Sequence, residues 1–186
     1  MSEPVLLVYA TRYGSTKEVA EVVAATLREQ GFEVDLQPMR KAQTLEGYCA
    51  VVLGAPLYIG RLHKDARRFL MQHRGVLSKR PVAIFALGPI RNDEQEWQEA
   101  CAQLKREIAK FSWLTPVALE MFGGKYDPTT LHFPDSLLAS LPASPLHNQP
   151  ASDARDWTAI RTWASNLIVA LQPTLASRNK GEQNHL

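Results

Sequence analysis

Six residues near the start of the chain, Thr11-Arg12-Tyr13-Gly14-Ser15-Thr16, have the composition of an anion-binding loop. Three Ser/Thr hydroxyls surround one glycine, and Arg12 and Lys17 can add positive charge. Such a loop works only if its neighbours aim it. Before it, Val5-Leu6-Leu7-Val8-Tyr9-Ala10 is a short, apolar, β-rich run that reads as a buried strand. After it, Val19, Val22, Val23 and Leu27 fall on one face of a helix over 17–30, closed by Gly31. That helix is expected to open at Ser15 or Thr16, whose hydroxyls suit capping of free backbone N–H groups. A strand passing through a hydroxyl-rich turn into a helix points backbone donors at one spot, and the macrodipole adds partial positive charge there. A terminal phosphate fits that spot without a metal. Two common nucleotide fingerprints are absent: no G-x-G-x-x-G occurs here, and Gly14-Ser15-Thr16-Lys17 lacks the glycine–lysine–hydroxyl order of a Walker A loop. Nor does Tyr9-Ala10 supply the acidic residues a magnesium-dependent receiver needs.

The remaining chain alternates strand and helix patterns. Phe32-Glu33-Val34-Asp35-Leu36 alternates apolar and acidic residues, as a half-exposed edge strand does. Ala50-Val51-Val52-Leu53-Gly54-Ala55 and Val82-Ala83-Ile84-Phe85-Ala86-Leu87 are apolar throughout, which suits central parallel strands, and residues 116–122 make a fifth. Helices are expected at 64–72, with Phe69 and Leu70 inward, and from Asp93 or Glu94 to 110, with Trp97, Cys101, Leu104 and Ile108 on one face. A last helix over 156–171 carries Trp157, Ile160, Trp163, Leu167 and Ile168. This predicts an α/β three-layer sandwich around a five-stranded parallel sheet in the order 2-1-3-4-5. Residues 1–172 form one domain, with an insertion at about 123–152 between last strand and last helix, and 173–186 read as a flexible tail.

Composition narrows the classes. At 186 residues and 45% hydrophobic, the chain has room for one sizeable core. No apolar run approaches the ~20 residues of a membrane span. Met1-Ser2-Glu3-Pro4 leads into the first strand without a secretory pattern, and Cys49 and Cys101 sit within apolar patterns as free thiols, so a cytoplasmic protein is expected. The five histidines lack ligand spacing, so no metal is assigned. A net charge of +2, evenly spread, is too mild for a nucleic-acid binder.

In an open parallel sheet, ligands bind beyond the carboxyl ends of strands where strand order switches. That rule brings together Thr11–Thr16, Pro56-Leu57-Tyr58-Ile59-Gly60-Arg61 and Leu87-Gly88-Pro89-Ile90-Arg91. The hydroxyl loop resembles the phosphate loop of flavodoxin-like FMN proteins. With Gly54-Ala55-Pro56-Leu57-Tyr58-Ile59-Gly60, Phe85-Ala86-Leu87-Gly88-Pro89, and the pair Phe122-Gly123-Gly124-Lys125 and Asp153-Ala154-Arg155-Asp156-Trp157, the chain is similar to one branch of that superfamily. The branch comprises flavodoxin-domain proteins resembling the menaquinone-dependent protoporphyrinogen dehydrogenases. The resemblance implies a flavodoxin-like fold and FMN. Thr11, Arg12, Tyr13, Gly14, Ser15 and Thr16 would hold the phosphate, and Pro56, Leu57, Tyr58, Ile59 and Gly60 would carry the ring, with Tyr58 stacking and Gly60 allowing close backbone approach. Leu87, Gly88, Pro89 and Ile90 would offer backbone donors to the pyrimidine end.

The resemblance further implies an oxidoreductase whose chemistry belongs to the flavin, acting on a porphyrinogen or a quinone; the alternative is an electron carrier to a redox partner protein. Carrier flavodoxins are generally strongly acidic, and this chain is not. Arg61, His63, Lys64 and Arg67 either attract the anionic arms of a porphyrinogen or form a solvated first helical turn. In the family the insertion is long, basic and aromatic and is thought to face a membrane. Here residues 126–150 contain no arginine, which weakens peripheral membrane contact; its apolar residues are expected instead to cap the flavin loop.

Overall fold

A computed structural model of the chain describes residues 4–133, 135–144, 147 and 149–182. β1 (Val5–Tyr9) lies between β2 (Val34–Pro38) and β3 (Ala50–Tyr58), all parallel, and β5 (Val82–Leu87) and β6 (Ala118–Phe122) extend the sheet. The parallel path is β2-β1-β3-β5-β6, which is the expected 2-1-3-4-5 order of principal strands. The added member, β4 (Arg61–Leu62), pairs antiparallel with β3. Residues 56–61 are thus a hairpin rather than a plain turn into a helix.

Alternation along the strands explains the three layers. In β1, Val5 and Leu7 point to the core under α1 (Ser15–Glu29) and α6 (Trp157–Glu182). Leu6 and Val8 point to the opposite core, under α2 (Lys64–Gln72) and α4 (Glu94–Ala109). All four are fully buried, as a strand covered on both faces requires. Gly54 is needed for packing: a Cβ there would lie 2.1 Å from the Phe85 ring, which stacks edge-on to Trp163 of α6. A short α3 (Arg74–Leu77) follows α2.

The insertion has a built neck. β7 (Lys125–Tyr126) pairs antiparallel with β8 (Ser152–Asp153), and α5 (Asp135–Ser140) lies between them in sequence. The last helix, expected to end at 171, continues in the described backbone to Glu182; residues 183–186 of the expected tail lie outside the described residues. No described helix is long and apolar enough to cross a membrane.

Candidate functional site

The first loop leaves the carboxyl end of β1 and turns at Gly14, whose φ of 88° places it in the left-handed region. Its N–H donates to Thr11 Oγ1 at 2.9 Å, which closes the loop on itself. α1 then begins at Ser15 with no side-chain cap, and Glu18 N–H donates to Gly14 O at 3.1 Å. The hydroxyls of Ser15 and Thr16 therefore do not cap the helix, contrary to the expectation from sequence. Gly14 takes the N-cap position instead, because only its backbone reaches that conformation cheaply. Two consequences follow. The first-turn N–H groups keep no side-chain acceptor, and Thr16 Oγ1 is buried without a hydrogen-bond partner. A buried hydroxyl left unpaired costs about 1–3 kcal/mol, so Thr16 Oγ1 is a group whose pairing with a ligand would be favourable. An anion fits: it would accept from the hydroxyl and the free N–H groups together.

The insertion reaches this loop through Asp135 and His132. Asp135 accepts a hydrogen bond from the Tyr13 phenol and pairs with Arg12 at 2.9 Å, while the Tyr13 and His132 rings lie 6.1 Å apart. Burial, then the Asp135 carboxylate, push the Tyr13 phenol above its ordinary pKa. The contact is polar; Phe133, Leu137 and Leu141 face solvent instead of capping the loop. Lys17 pairs with Glu21 at 3.5 Å along the exposed face of α1.

The second loop rises beside the first. Ala10 N–H donates to Gly54 O at 2.9 Å, and β3 runs four residues beyond Gly54 before its hairpin. Pro56 and Leu57 are buried, leaving Tyr58 as the half-exposed ring at the strand's end. Burial raises the Tyr58 phenol to about 12, against the opposing pull of Arg12, so it stays protonated at neutral pH. Ile59 and Gly60 have φ of 49° and 69°, both positive, as a two-residue type I′ hairpin demands. A fully exposed, β-branched isoleucine is a costly occupant of that position, where Asn is ordinarily preferred. Ile59→Asn is expected to stabilise the fold by about 1 kcal/mol, read as a higher denaturation midpoint. An unchanged or lower midpoint would show that the turn carries no strain.

The third loop follows β5, in register with the second through Pro56↔Leu87. Its donors are fewer than its residues suggest. Gly88 N–H already donates to Phe122 O at 3.0 Å, and Pro89 has no N–H; its carbonyl accepts from Gly124 at 2.6 Å. Leu87 is buried in the core beneath, which leaves the Ile90 N–H as the donor of this loop without an acceptor among the described residues. Gly123 and Gly124 hold the loop in place. A Cβ on Gly123 would lie 1.9 Å from Ala154 O, and one on Gly124 2.7 Å from Gly88 O.

All three loops thus share the carboxyl edge of β1, β3 and β5, and Tyr58 lies within electrostatic reach of Arg12, Tyr13 and Asp135. A sequence profile described as "Flavodoxin domain" matches residues 6–143. The chain belongs to the flavodoxin-domain family. Over 111 residues it is 25% identical to "Protoporphyrinogen IX dehydrogenase [quinone]" of Escherichia coli strain K12, covering 58% of this chain and 61% of that protein. It thus spans about three fifths of the length of this curated relative. Among solved structures it resembles oxidised Flavodoxin 2 from Bacillus cereus, with a TM-score of 0.54 and 19% identity, over 91% of this chain and 98% of the other. It also resembles rubredoxin oxygen:oxidoreductase from Desulfovibrio gigas, with a TM-score of 0.56 and 18% identity, over 94% of this chain and 38% of that one. These likenesses show the fold.

Two long-range contacts beside the first loop were not read from the sequence, although Arg155 stands in the Asp153–Trp157 motif. Asp135 lies 122 positions from the Tyr13 it contacts, and Arg155 lies 137 from its partner Glu18. Arg155 is buried, forked onto Asp153 at 2.7 and 2.6 Å, bonded to Glu18 at 2.7 Å, and stacked on Trp157 at 4.6 Å. It ties the neck of the insertion to the first turn of α1, where the anion loop ends. The one available signal was the Asp153-Ala154-Arg155 string, an acid two residues before a cation.

Of the cations expected near the second loop, His63 has a structural task. Its Nδ1 accepts from Asp65 N–H at 3.3 Å, capping α2, and its own N–H donates to Pro56 O at 3.0 Å. Burial lowers its pKa below 6.5, against Asp65, and Lys64, Arg40 and Arg12 lower it further. The folded state therefore resists a proton that the unfolded chain takes up near pH 6.5, so stability falls as pH drops below that value. His63→Asn keeps the cap without titrating, and is expected to flatten the stability profile from pH 6.5 downwards in denaturant titrations. An identical slope in both proteins would rule His63 out as the source.

Proposed function

We propose that this flavodoxin-domain protein binds FMN at the three loops and acts as an oxidoreductase on a reduced tetrapyrrole of the porphyrinogen class. The observation carrying the reading is the buried, unpartnered Thr16 hydroxyl beside an uncapped helix N-terminus. The site residues fit the group. Thr11, Gly14, Ser15 and Thr16 would hold its phosphate, with Arg12, paired to Asp135, beside it, and the Tyr58 ring would cover the flavin face. The left-handed Ile59-Gly60 turn would offer a backbone edge to the ring, and the Ile90 N–H would donate to its pyrimidine side. When bound, FMN supplies the redox chemistry, taking electrons from an organic substrate. The chain's own part is binding and orientation: Tyr58, protonated at neutral pH, contributes no charge to the ring site. The 25% identity to a protein named for protoporphyrinogen IX and quinone supports the substrate class.

The test begins with the visible spectrum of the purified protein and quenching of added FMN fluorescence. Flavin bands and saturable one-to-one quenching are expected, and a colourless protein that leaves FMN fluorescence untouched would end the flavin reading. Anaerobic mixing with protoporphyrinogen IX should then bleach the flavin. Bleaching only by a flavoprotein reductase would replace the enzyme with an electron carrier.

A further inference from the structure

A second feature lies beside the loops rather than among them. Between the stretch following β2 and the exposed face of α2 is an open cavity of about 580 Å3, within the range that takes small organic ligands. Arg40, Lys64 and Arg68 line it against a single carboxylate, Asp65, with Phe69 contributing to the wall. That carboxylate is already committed to Arg40, at 2.6 Å. Lys64 and Arg68 have no acidic partner among the described residues. They stand four residues apart on one helix face, where like charges repel, and Lys64 opens α2, where the helix dipole also disfavours a cation. The grouping is unfavourable to α2 itself, and an anionic ligand would relieve it.

The position points to the ligand's role. Met39, part of the cavity lining, donates its N–H to Tyr9 O at 2.9 Å, two residues ahead of Thr11. His63 precedes Lys64, and its backbone is bonded to Pro56 in the second loop. Beyond burial, Lys64, Arg40 and Arg12 all lower the pKa of its imidazole, so charges of the cavity and of the first loop act on the same ring. The cation set also differs from the expected Arg61, His63, Lys64 and Arg67. Arg67 turns to the buried carboxylate of Glu107, 3.4 Å away, and His63 caps α2. Arg61 sits in the hairpin, outside the cavity lining. Only Lys64 remains, joined by Arg40 from a different part of the chain and by Arg68 one turn on.

We propose that the cavity lined by Arg40, Lys64 and Arg68 anchors the carboxylate arms of the redox substrate, an organic polycarboxylate held with its oxidisable portion towards the Tyr58 loop. The substrate role rests on the reading of the preceding section, but the anion preference of the cavity does not. Two carboxylates can each meet a cation here, giving charge-assisted contacts that a neutral ester cannot make.

The experiment uses the full-length protein, with and without added FMN, and two stable probes: mesoporphyrin IX, a dicarboxylate, and its dimethyl ester. Binding is followed by the shift of the porphyrin absorbance band. The wild type is expected to hold the diacid about tenfold or more tightly than the diester. K64E/R68E should erase that preference, since both side chains are exposed and their reversal spares the core. Lys105→Glu, an exposed charge reversal on α4, should leave the preference intact, which separates a local effect from a change in net charge. Equal affinity for diacid and diester in the wild type, no detectable diacid binding, or a preference that survives K64E/R68E would each overturn the proposal. FMN affinity is read in parallel: its loss in the wild type would defeat the flavin assignment alone, because the porphyrin preference is scored independently.

Discussion

Gly14→Val is expected to weaken FMN binding by about two orders of magnitude, measured by fluorescence quenching. At φ of 88°, a β-branched residue is forced into a backbone region it avoids, at a cost of about 1–3 kcal/mol. Space is not the obstacle, since no atom lies within 4 Å of where the Cβ would sit. The strain is therefore relieved by rotating the backbone, and the same rotation breaks the Gly14 N–H to Thr11 bond and swings the first N–H groups of α1 off target. Because the damage is local, the fold should survive with native circular dichroism. Affinity within twofold of the parent would mean that the phosphate is held elsewhere.

The largest loss of stability is expected at Arg155. Arg155→Met removes the forked contact to Asp153 and the bond to Glu18 from a side chain that is 3% exposed. The two carboxylates left behind are each more than two-fifths exposed and regain some hydration, so the cost stays below that of an orphaned buried charge. About 3 kcal/mol is expected, or a Tm lower by roughly 10 °C. The pH dependence gives a second reading. The hydrogen bond from Arg155 holds the Asp153 carboxyl below its ordinary pKa of 3.8. Its contribution is complete above that value and is lost as pH falls through the depressed one, so the deficit of the variant should narrow in acid. A variant within 1 kcal/mol of wild type at pH 7, or a deficit that widens in acid, would show that the clasp is ornamental. The consequence reaches the site, because the neck that Arg155 secures also carries Gly124, whose N–H holds the third loop through Pro89.

Residue order alone was enough for the five principal parallel strands, their order and the meeting of three loops at one edge of the sheet. The reason is that apolar runs such as 82–87 and helical spacings such as Val19, Val23 and Leu27 report burial directly, and parallel strands place their outgoing loops on one edge by geometry. Local signals misled where two local solutions competed. Ser15 and Thr16 are good caps in isolation, but a left-handed Gly14 took that position and left Thr16 Oγ1 buried without a partner. Residues 56–61 hid a hairpin because Ile59 is a poor turn residue, here held at a positive φ. What only the tertiary structure decided were the charge pairings: Asp135 with Arg12, Arg155 with Glu18, Arg67 with Glu107, and the gathering of Arg40, Lys64 and Arg68. Hydrophobic burial is written in short periods, whereas an ion pair depends on which distant segments the folded sheet brings within a few ångströms, and no periodicity of the chain encodes that distance.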